Sequence, residues 1–135
     1  YHGLPETQVC TSCPLARAPL GDAPACCSAP DVPPRCYRAQ CVASTRLIAT
    51  KLGILRPITA FQSRFGPTRW IGPATDDLLD SLPTQGVKRL VVLCPSFVSD
   101  CLETLEELGI RGQERFLAAG GEAYAVAPCP NPRRD

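Results

Sequence analysis

The feature that most constrains the fold is an apolar run that leads, through a proline, into an amphipathic helical pattern. Residues Val87 to Leu93 read VKRLVVL, a composition that indicates a buried strand of a parallel sheet. Pro95 then ends the strand, because proline has no amide hydrogen for the ladder. Ser99 or Asp100 can cap the helix that follows. The stretch therefore predicts one strand–helix unit of an α/β protein.

The predicted helix carries three carboxylates on one face. Asp100, Glu103 and Glu107 are spaced by three and four residues, which groups them at about 100° per residue. Ligands of open α/β sheets bind at the carboxyl ends of the strands, where this helix begins. The row is either a ligand site or the solvated face of an amphipathic helix with favourable charge in its first turn. Opposite the row lie Leu102, Leu105 and Leu108, with Cys101 near their edge.

Helical and strand patterns alternate along the rest of the chain. The first helix ends at Gly53, a favoured residue just beyond a helix, whereas Gly109 and Gly112 interrupt the pattern of the third. Such alternation predicts an open parallel sheet with helices on both faces. The predicted helices are Cys36 to Leu52, Thr75 to Leu82 and one from Ser99 or Asp100 to about Ala119; the other predicted strands are Ile58 to Gln62 and Ala123 to Ala127.

The composition excludes several classes of function. The 135 residues suffice for about one domain. The formal net charge is +1, and no block of Lys or Arg indicates binding to nucleic acid. No apolar run approaches the ~20 residues that a membrane span needs. The chain contains no Met and begins at Tyr1, so we expect a piece of a longer or processed product.

Six of the nine cysteines fall within one stretch, residues 6–41. Up to Arg35 this stretch holds six prolines and no helical or strand period, which predicts an irregular loop insert. Clustered thiolates suit zinc or an iron–sulfur cluster, each normally held by four protein ligands. Reduced thiols with one disulfide are the alternative. The six candidate ligands are Cys10, Cys13, Cys26, Cys27, Cys36 and Cys41.

Chemically useful side chains also follow other predicted strand ends. His2, the single histidine, lies in a segment, Tyr1 to Pro5, that has the character of a strand end turning into a loop. The Gly- and Pro-rich loop from Ser63 to Pro73 carries Arg64 and Trp70. Catalytic groups collect at such ends, although a lone His is commonly structural and an isolated Trp commonly packs. Both interpretations stay open at this point.

Four stretches together resemble the C-terminal lobe of ferrochelatases. They cover nearly the whole chain apart from the cysteine-rich insert, and their patterns QSR–GP–W–GP–TD and SD-x-x-ET-L-E are specific in combination. Ferrochelatases are lyases that insert ferrous iron into protoporphyrin IX, the last step of heme biosynthesis. The resemblance implies that residues 1–135 form one lobe of a two-lobed enzyme whose N-terminal lobe lies outside this sequence. The stretches are YHGLP (Tyr1 to Pro5), FQSRFGPTRWIGPATDDLL (Phe61 to Leu79), SFVSDCLETLEELGI (Ser96 to Ile110) and AGGE…PCPN (Ala119 to Asn131).

The resemblance also implies roles for individual residues. His2 matches the catalytic histidine that removes pyrrole protons or meets the iron, and Glu103 matches its acidic partner. Asp100 and Glu107 match the family's acidic row, proposed to pass metal or protons, on a helix with a π-type turn. Cys101 stands where the family often has His. The implied porphyrin-pocket positions are Gln62, Ser63, Arg64 and Trp70.

Two features depart from the usual pattern of the family. Gly109 and Arg111 stand where acidic residues commonly continue the row, so the implied metal path is shorter. The insert resembles the cysteine-rich insert of bacterial ferrochelatases that carry a [2Fe–2S] cluster, most closely at Cys26-Cys27 and from Cys36 to Cys41. Four of the six candidate cysteines would then hold the cluster.

The resemblance implies a bacterial cytoplasmic enzyme whose partners are porphyrin and ferrous iron. It implies no nucleic acid and no membrane span, and it leaves peripheral contact with a membrane open. Two alternatives also stay open. One is a non-enzymatic cysteine-rich iron–sulfur or zinc module on an α/β scaffold, which would bind metal but not porphyrin. The other is a related chelatase for another metal or tetrapyrrole.

Overall fold

The computed structural model describes residues 1–9 and 36–131. These residues form two compact units, one of residues 2–9 and 36–74 and the other of Tyr1 with residues 75–131. Most of the predicted cysteine-rich insert lies outside the described residues. The same holds for four of its predicted ligands, Cys10, Cys13, Cys26 and Cys27.

In residues 75–131 the described elements alternate between helical segments and strands, as an α/β fold requires. None of the described helices is long and apolar enough to cross a membrane. The elements in the unit of residues 2–74 are α1 (Glu6–Val9) and α2 (Tyr37–Leu52); those in the unit of residues 75–131 are α3 (Thr75–Ser81), β1 (Arg89–Val92), a π-helix (Glu103–Arg111), α4 (Gly112–Ala118) and β2 (Ala123–Val126).

The strands β1 and β2 confirm the predicted parallel pairing. Arg89 lies opposite Ala123, and Val92 lies opposite Val126. Burial alternates along both strands, so that one face of this pair contacts the core while Val91 on the other face is 67 % exposed. The predicted burial of this strand is therefore wrong for one face, because in the described residues the helices cover only the face that carries the alternate side chains.

The core of residues 75–131 lies between that covered face and the helices. Phe116 of α4 is fully buried and packs with Leu79 of α3 and Leu90 of β1. A second cluster at the carboxyl ends of the strands contains Leu108 of the π-helix and two buried thiols, Cys94 and Cys129. The π-helix and α4 are thus held against the sheet by two clusters of side chains.

In residues 2–74 the sequence predicts the helix better than the strand. The helix α2 ends as expected at Gly53, whose φ of 68° is left-handed and whose N–H donates to the carbonyls of Ala49 and Thr50. The predicted strand Ile58 to Gln62 is wrong in extent. Only its last two residues make ladder contacts, in isolated parallel bridges between Phe61 and Ala74 and between Gln62 and His2.

The acidic helix confirms the π-type turn that the resemblance implies, but its register differs from the wheel drawn at 100° per residue. Its hydrogen bonds are of the π type over Glu103–Arg111, and α4 continues it without the interruption expected at its glycines. Leu102 and Leu105 are 70 % and 59 % exposed, so the predicted apolar face is wrong at these two positions, whereas Leu108 is buried as predicted. A wheel at 100° per residue fails because bonds from residue i+5 to i widen each turn. The buried positions instead recur every four residues, at Thr104, Leu108, Gly112 and Phe116.

A tyrosine from the sheet supports the change from π-helix to α-helix. The Gly112 N–H donates to the Glu107 carbonyl, five residues back. It therefore does not donate to the Leu108 carbonyl, which would be its acceptor in an α-helix. The Tyr124 hydroxyl donates to the Leu108 carbonyl at 2.8 Å instead. Burial raises the pKa of Tyr124 to about 12, so this hydroxyl keeps its proton at neutral pH. A Cβ on residue 112 would lie 2.7 Å from that hydroxyl oxygen, which explains the glycine.

We predict that Gly112→Ala in the complete protein lowers the free energy of unfolding by about 1–3 kcal/mol, the usual cost of overpacking. The added methyl displaces the Tyr124 hydroxyl from Leu108. In a Tyr124→Phe background the same substitution is expected to cost less, because the hydroxyl is already gone. Urea unfolding of the four proteins measures this coupling. Equal costs in both backgrounds would show that Tyr124 is not what position 112 accommodates.

Candidate functional site

The backbone of His2 is fixed by two neighbours. His2 forms a parallel bridge with Gln62, and the next N–H, of Gly3, donates to the Gln62 carbonyl at 2.8 Å. The Tyr37 hydroxyl of α2 donates to the His2 carbonyl at 2.9 Å. The predicted site residues His2 and Gln62 are therefore brought together by the fold of residues 2–74.

The imidazole of His2 is oriented as a proton acceptor. Its Nδ1 lies 2.7 Å from the Gly3 carbonyl oxygen. Since a carbonyl oxygen can only accept, this contact places the proton of the neutral ring on Nδ1. The lone pair is then on Nε2, which can take up a proton or coordinate a metal.

The side chain of Gln62 is the clearest sign of a missing partner in this unit. Gln62 is 7 % exposed, yet neither its Oε1 nor its Nε2 has a hydrogen-bond partner within residues 1–9 and 36–131. An unpaired buried polar group costs about 1–3 kcal/mol. The next residue, Ser63, has a φ of 66°, a strained conformation that is common at ligand sites. Both observations point to a polar group that the described residues do not supply.

The loop beyond Gln62 is folded back onto the His2 segment. Trp70 pairs with Pro5 in an antiparallel bridge, and its indole N–H donates to the Phe65 carbonyl at 2.8 Å. A Cβ on Gly3 would lie 2.6 Å from the Gln62 carbonyl oxygen and 3.3 Å from the Trp70 ring. Glycine is thus needed for this close approach. Of the predicted pocket residues, only Arg64 is exposed.

The other predicted acids lie in the unit of residues 75–131. Glu103 begins the π-helix and is half-buried, as is Glu107 one turn later. Arg111 lies 2.8 Å from Glu106 and 3.7 Å from Glu107, so a cation stands at the far end of the acidic face. Of the two glutamates, Glu103 is therefore the one more distant in sequence from Arg111.

Asp100 has a different environment from the two glutamates. Its carboxylate accepts hydrogen bonds from the Asn131 amide at 2.6 Å and from the Cys129 N–H at 3.2 Å. These bonds, with a further one from Thr104, lower the pKa of Asp100. Sequence analysis missed both Asn131 and Thr104. The available signal for Thr104 was its spacing of four residues from Asp100, whereas nothing in the sequence links Asn131 to it.

Two of the predicted cluster ligands lie on described residues. Cys36 directly precedes α2 and Cys41 lies within its first turns, and both thiols are buried and free. They are near enough for Cys36 to contribute to the pKa of Cys41, which burial raises. Among the described residues no group of three or more His, Cys, Asp and Glu side chains is arranged to hold a metal ion. Two soft, reduced, neighbouring thiols fit one side of a thiolate site.

Known proteins of one family match this chain along nearly its whole length. A sequence model of the ferrochelatase family matches residues 1–135. The chain is 51 % identical to the ferrochelatase of Azotobacter vinelandii over 97 % of its own length and 40 % of that relative. It is 48 % identical to the ferrochelatase of Ectopseudomonas mendocina and 46 % identical to that of Stutzerimonas stutzeri, in each case over its full length. The chain spans about 40 % of the length of these relatives. A match along the whole chain at this level shows that it belongs to the ferrochelatase family.

Proposed function

We propose that the complete protein inserts ferrous iron into protoporphyrin IX to form heme, and that this chain supplies the C-terminal lobe. We further propose that the enzyme works in the bacterial cytoplasm. The observation that carries the proposal is the held imidazole of His2, whose backbone pairs with that of Gln62, a residue whose buried side-chain amide has no hydrogen-bond partner among the described residues. Family membership supplies the reaction to which such a base belongs.

The reaction makes two demands on the protein. Iron insertion exchanges two pyrrole N–H protons for one Fe²⁺, so heme and two protons are the products. A neutral imidazole is suited to remove such protons, because its unprotonated nitrogen is a general base. We propose that His2 accepts these protons one at a time at Nε2, releasing the first to solvent before it takes the second, while its Nδ1–H is held by the Gly3 carbonyl. Imidazole and carboxylate both coordinate ferrous iron, so His2 can also meet the incoming metal.

Glu103 is proposed as the acidic partner, with Glu107 next to it on the π-helix. A carboxylate compensates part of the charge of Fe²⁺ and can pass a proton onward. Arg111 at the end of this face would repel a cation, so the proposed route for iron or protons is confined to the two glutamates. Asp100, the third predicted member of the row, is not part of this proposed route.

We propose that the porphyrin contacts the loop after Gln62. The buried amide of Gln62 lacks partners, and porphyrin carboxylates can supply acceptors for its N–H groups. The Trp70 ring, anchored through its N–H, offers a flat apolar surface for a macrocycle. The exposed Arg64 and the strained Ser63 are the other two residues proposed to contact the porphyrin.

A [2Fe–2S] cluster on four of the six insert cysteines is proposed as an accessory cofactor. Cys36 and Cys41 are the proposed ligands on described residues, and their proximity supports the pair. When bound, the cluster would supply thiolate bonds that attach the insert to α2. The residues themselves contribute buried, reduced thiols at the start of that helix.

Glu103→Gln in the complete protein is expected to lower kcat for metallation at least 100-fold, because the amide carries no charge and accepts no proton. Loss of porphyrin fluorescence under anaerobic conditions with ferrous iron measures the rate. The matched control is Glu106→Gln, the same change three residues away on an acid that pairs with Arg111. If Glu103→Gln turns over like the control, Glu103 has no part in the chemistry.

His2→Ala is expected to lower kcat for metallation about as much as Glu103→Gln does, because the change removes the base. Porphyrin should still bind, because the loop after Gln62 stays in place. Fluorescence quenching measures porphyrin affinity and the metallation assay measures kcat. Added imidazole should restore part of the rate by occupying the vacated space. Turnover that persists in His2→Ala would remove this residue from the mechanism.

Cys36→Ser is expected to reduce the visible absorption of the iron–sulfur cluster in the complete protein, because serine is a poor ligand for such clusters. Cys94→Ser is the matched control, since Cys94 and Cys36 are both 8 % exposed but Cys94 lies outside the insert. The spectrum of the control should equal that of the parent protein. An unchanged spectrum in Cys36→Ser would exclude this ligand, and a parent protein without such absorption would exclude the cluster.

A further inference from the structure

We propose that Asp100 and Asn131 form a clasp that positions Glu103, and that Asp100 does not itself relay iron or protons. The clasp joins the start of the π-helix to the segment after β2. Its effect on Glu103 rests on the proposed function, whereas the clasp itself is a property of the fold. Asn131 is thereby assigned a role as a positioning residue.

The two residues are bonded in both directions, once through the Asp100 backbone and once through its side chain. The Asp100 N–H donates to Asn131 Oδ1 at 2.8 Å, and Asn131 Nδ2 donates to Asp100 Oδ2 at 2.6 Å. A closed pair of this kind fixes the distance and the orientation of both residues, which are 31 positions apart in sequence. One of its bonds has a carboxylate as acceptor, which makes it stronger than a bond between neutral groups.

The second oxygen of Asp100 is also occupied. Its Oδ1 accepts from the Cys129 N–H and from the Thr104 hydroxyl, both at 3.2 Å. Bonds to the ionised form hold the pKa of Asp100 below its usual value. A relay group must release and regain protons or metal during turnover. Both oxygens of the Asp100 carboxylate accept hydrogen bonds from fixed donors, so this group is suited to stabilise the fold and not to exchange protons or metal.

Asn131 is equally committed. Its Nδ2 also donates to the Cys129 carbonyl at 3.0 Å, and its backbone N–H donates to the Val98 carbonyl at 3.0 Å. Its φ of 54° is left-handed, a conformation that Asn and Asp tolerate better than most residues. Three of the Asn131 bonds, to Val98 and Asp100, hold the segment after β2 against the stretch before the π-helix, and the bond to Cys129 fixes the Asn131 amide within its own segment.

The clasp reaches Glu103 through its neighbour. Thr104 is 2 % exposed, and its hydroxyl oxygen accepts the Cys101 N–H at 2.9 Å while lying within bonding distance of Asp100. Glu103 lies between Cys101 and Thr104 in the chain. Its backbone is therefore held on both sides by groups that contact the clasp, at the residue where the π-helix begins.

An exchange of the two residues tests the proposal in the complete protein. Asp100→Asn alone places two amides together, and Asn131→Asp alone places two carboxylates together. The double variant restores a carboxylate–amide pair with its direction reversed. We expect each single change to lower kcat at least tenfold with little change in the KM for porphyrin, since misplacing a catalytic group costs rate. The double variant should recover to within about threefold of the parent.

The recovery separates a clasp from a relay. If Asp100 passes iron or protons, the double variant stays as slow as Asp100→Asn, because position 100 still lacks a carboxylate; that result overturns the proposal. A change confined to KM would equally overturn the positioning of Glu103. Glu106→Gln serves again as the control for a charge change on the same helix.

Thermal unfolding without substrate decides the clasp independently of activity. Both single variants should unfold at lower temperature than the parent, and the double variant should regain most of the loss, although the bond from Asn131 to the Cys129 carbonyl is not replaced. If the single variants fail to fold, recovery of folded protein in the double variant supports the clasp. A double variant no more stable than the singles rejects it. A parent without metallation would refute the proposed function while leaving this thermal result decisive for the clasp.

Discussion

The hydrogen bond from the Tyr124 hydroxyl to the Leu108 carbonyl is the contact on which the acidic helix depends. A π-helix is rare, because its hydrogen bonds and packing are poorer than those of an α-helix. It persists here because its carboxyl end is met by a buried hydroxyl across from a glycine, Gly112, that leaves room for it. Its amino end is held by the bonds among Asp100, Thr104 and Asn131. The widened turns between these two anchors place Glu103 and Glu107 on a surface that a regular α-helix would arrange differently.

The residues around His2, unlike those of the acidic helix, make few hydrogen bonds and include a buried amide without a partner among the described residues. The histidine is held through its backbone by Gln62 and Tyr37 and through Nδ1 by Gly3. Its Nε2 can then take up a proton or coordinate a metal. The side-chain amide of Gln62 is buried without a hydrogen-bond partner in the described residues. Polar groups in this condition stabilise a fold poorly. They are tolerated where a ligand completes them, as we propose for porphyrin.

Local sequence rules predicted the parts of this structure that local chemistry determines. The end of α2 at Gly53, the helix from Thr75 and the parallel pair β1 and β2 follow from capping, periodicity and alternation, and the resemblance placed the chain in its family. The faces of the acidic helix were not predictable at 100° per residue, so Leu102 and Leu105 were assigned wrongly. The bond between Asp100 and Asn131 joins residues far apart in sequence, and no local pattern encodes it. The cysteine-rich insert stays a prediction for the same reason, since its ligand set depends on how distant cysteines meet.

Insertion of ferrous iron into porphyrin by the complete protein is tested most directly by counting the protons released. The protein is mixed with ferrous iron and porphyrin in weakly buffered anaerobic solution. Stopped-flow recording with a pH indicator, alongside porphyrin fluorescence, gives both quantities from one mixing. The account predicts two protons released per porphyrin, at the same rate as the fluorescence is lost. Bound porphyrin that keeps its fluorescence and releases no protons on addition of iron would contradict it.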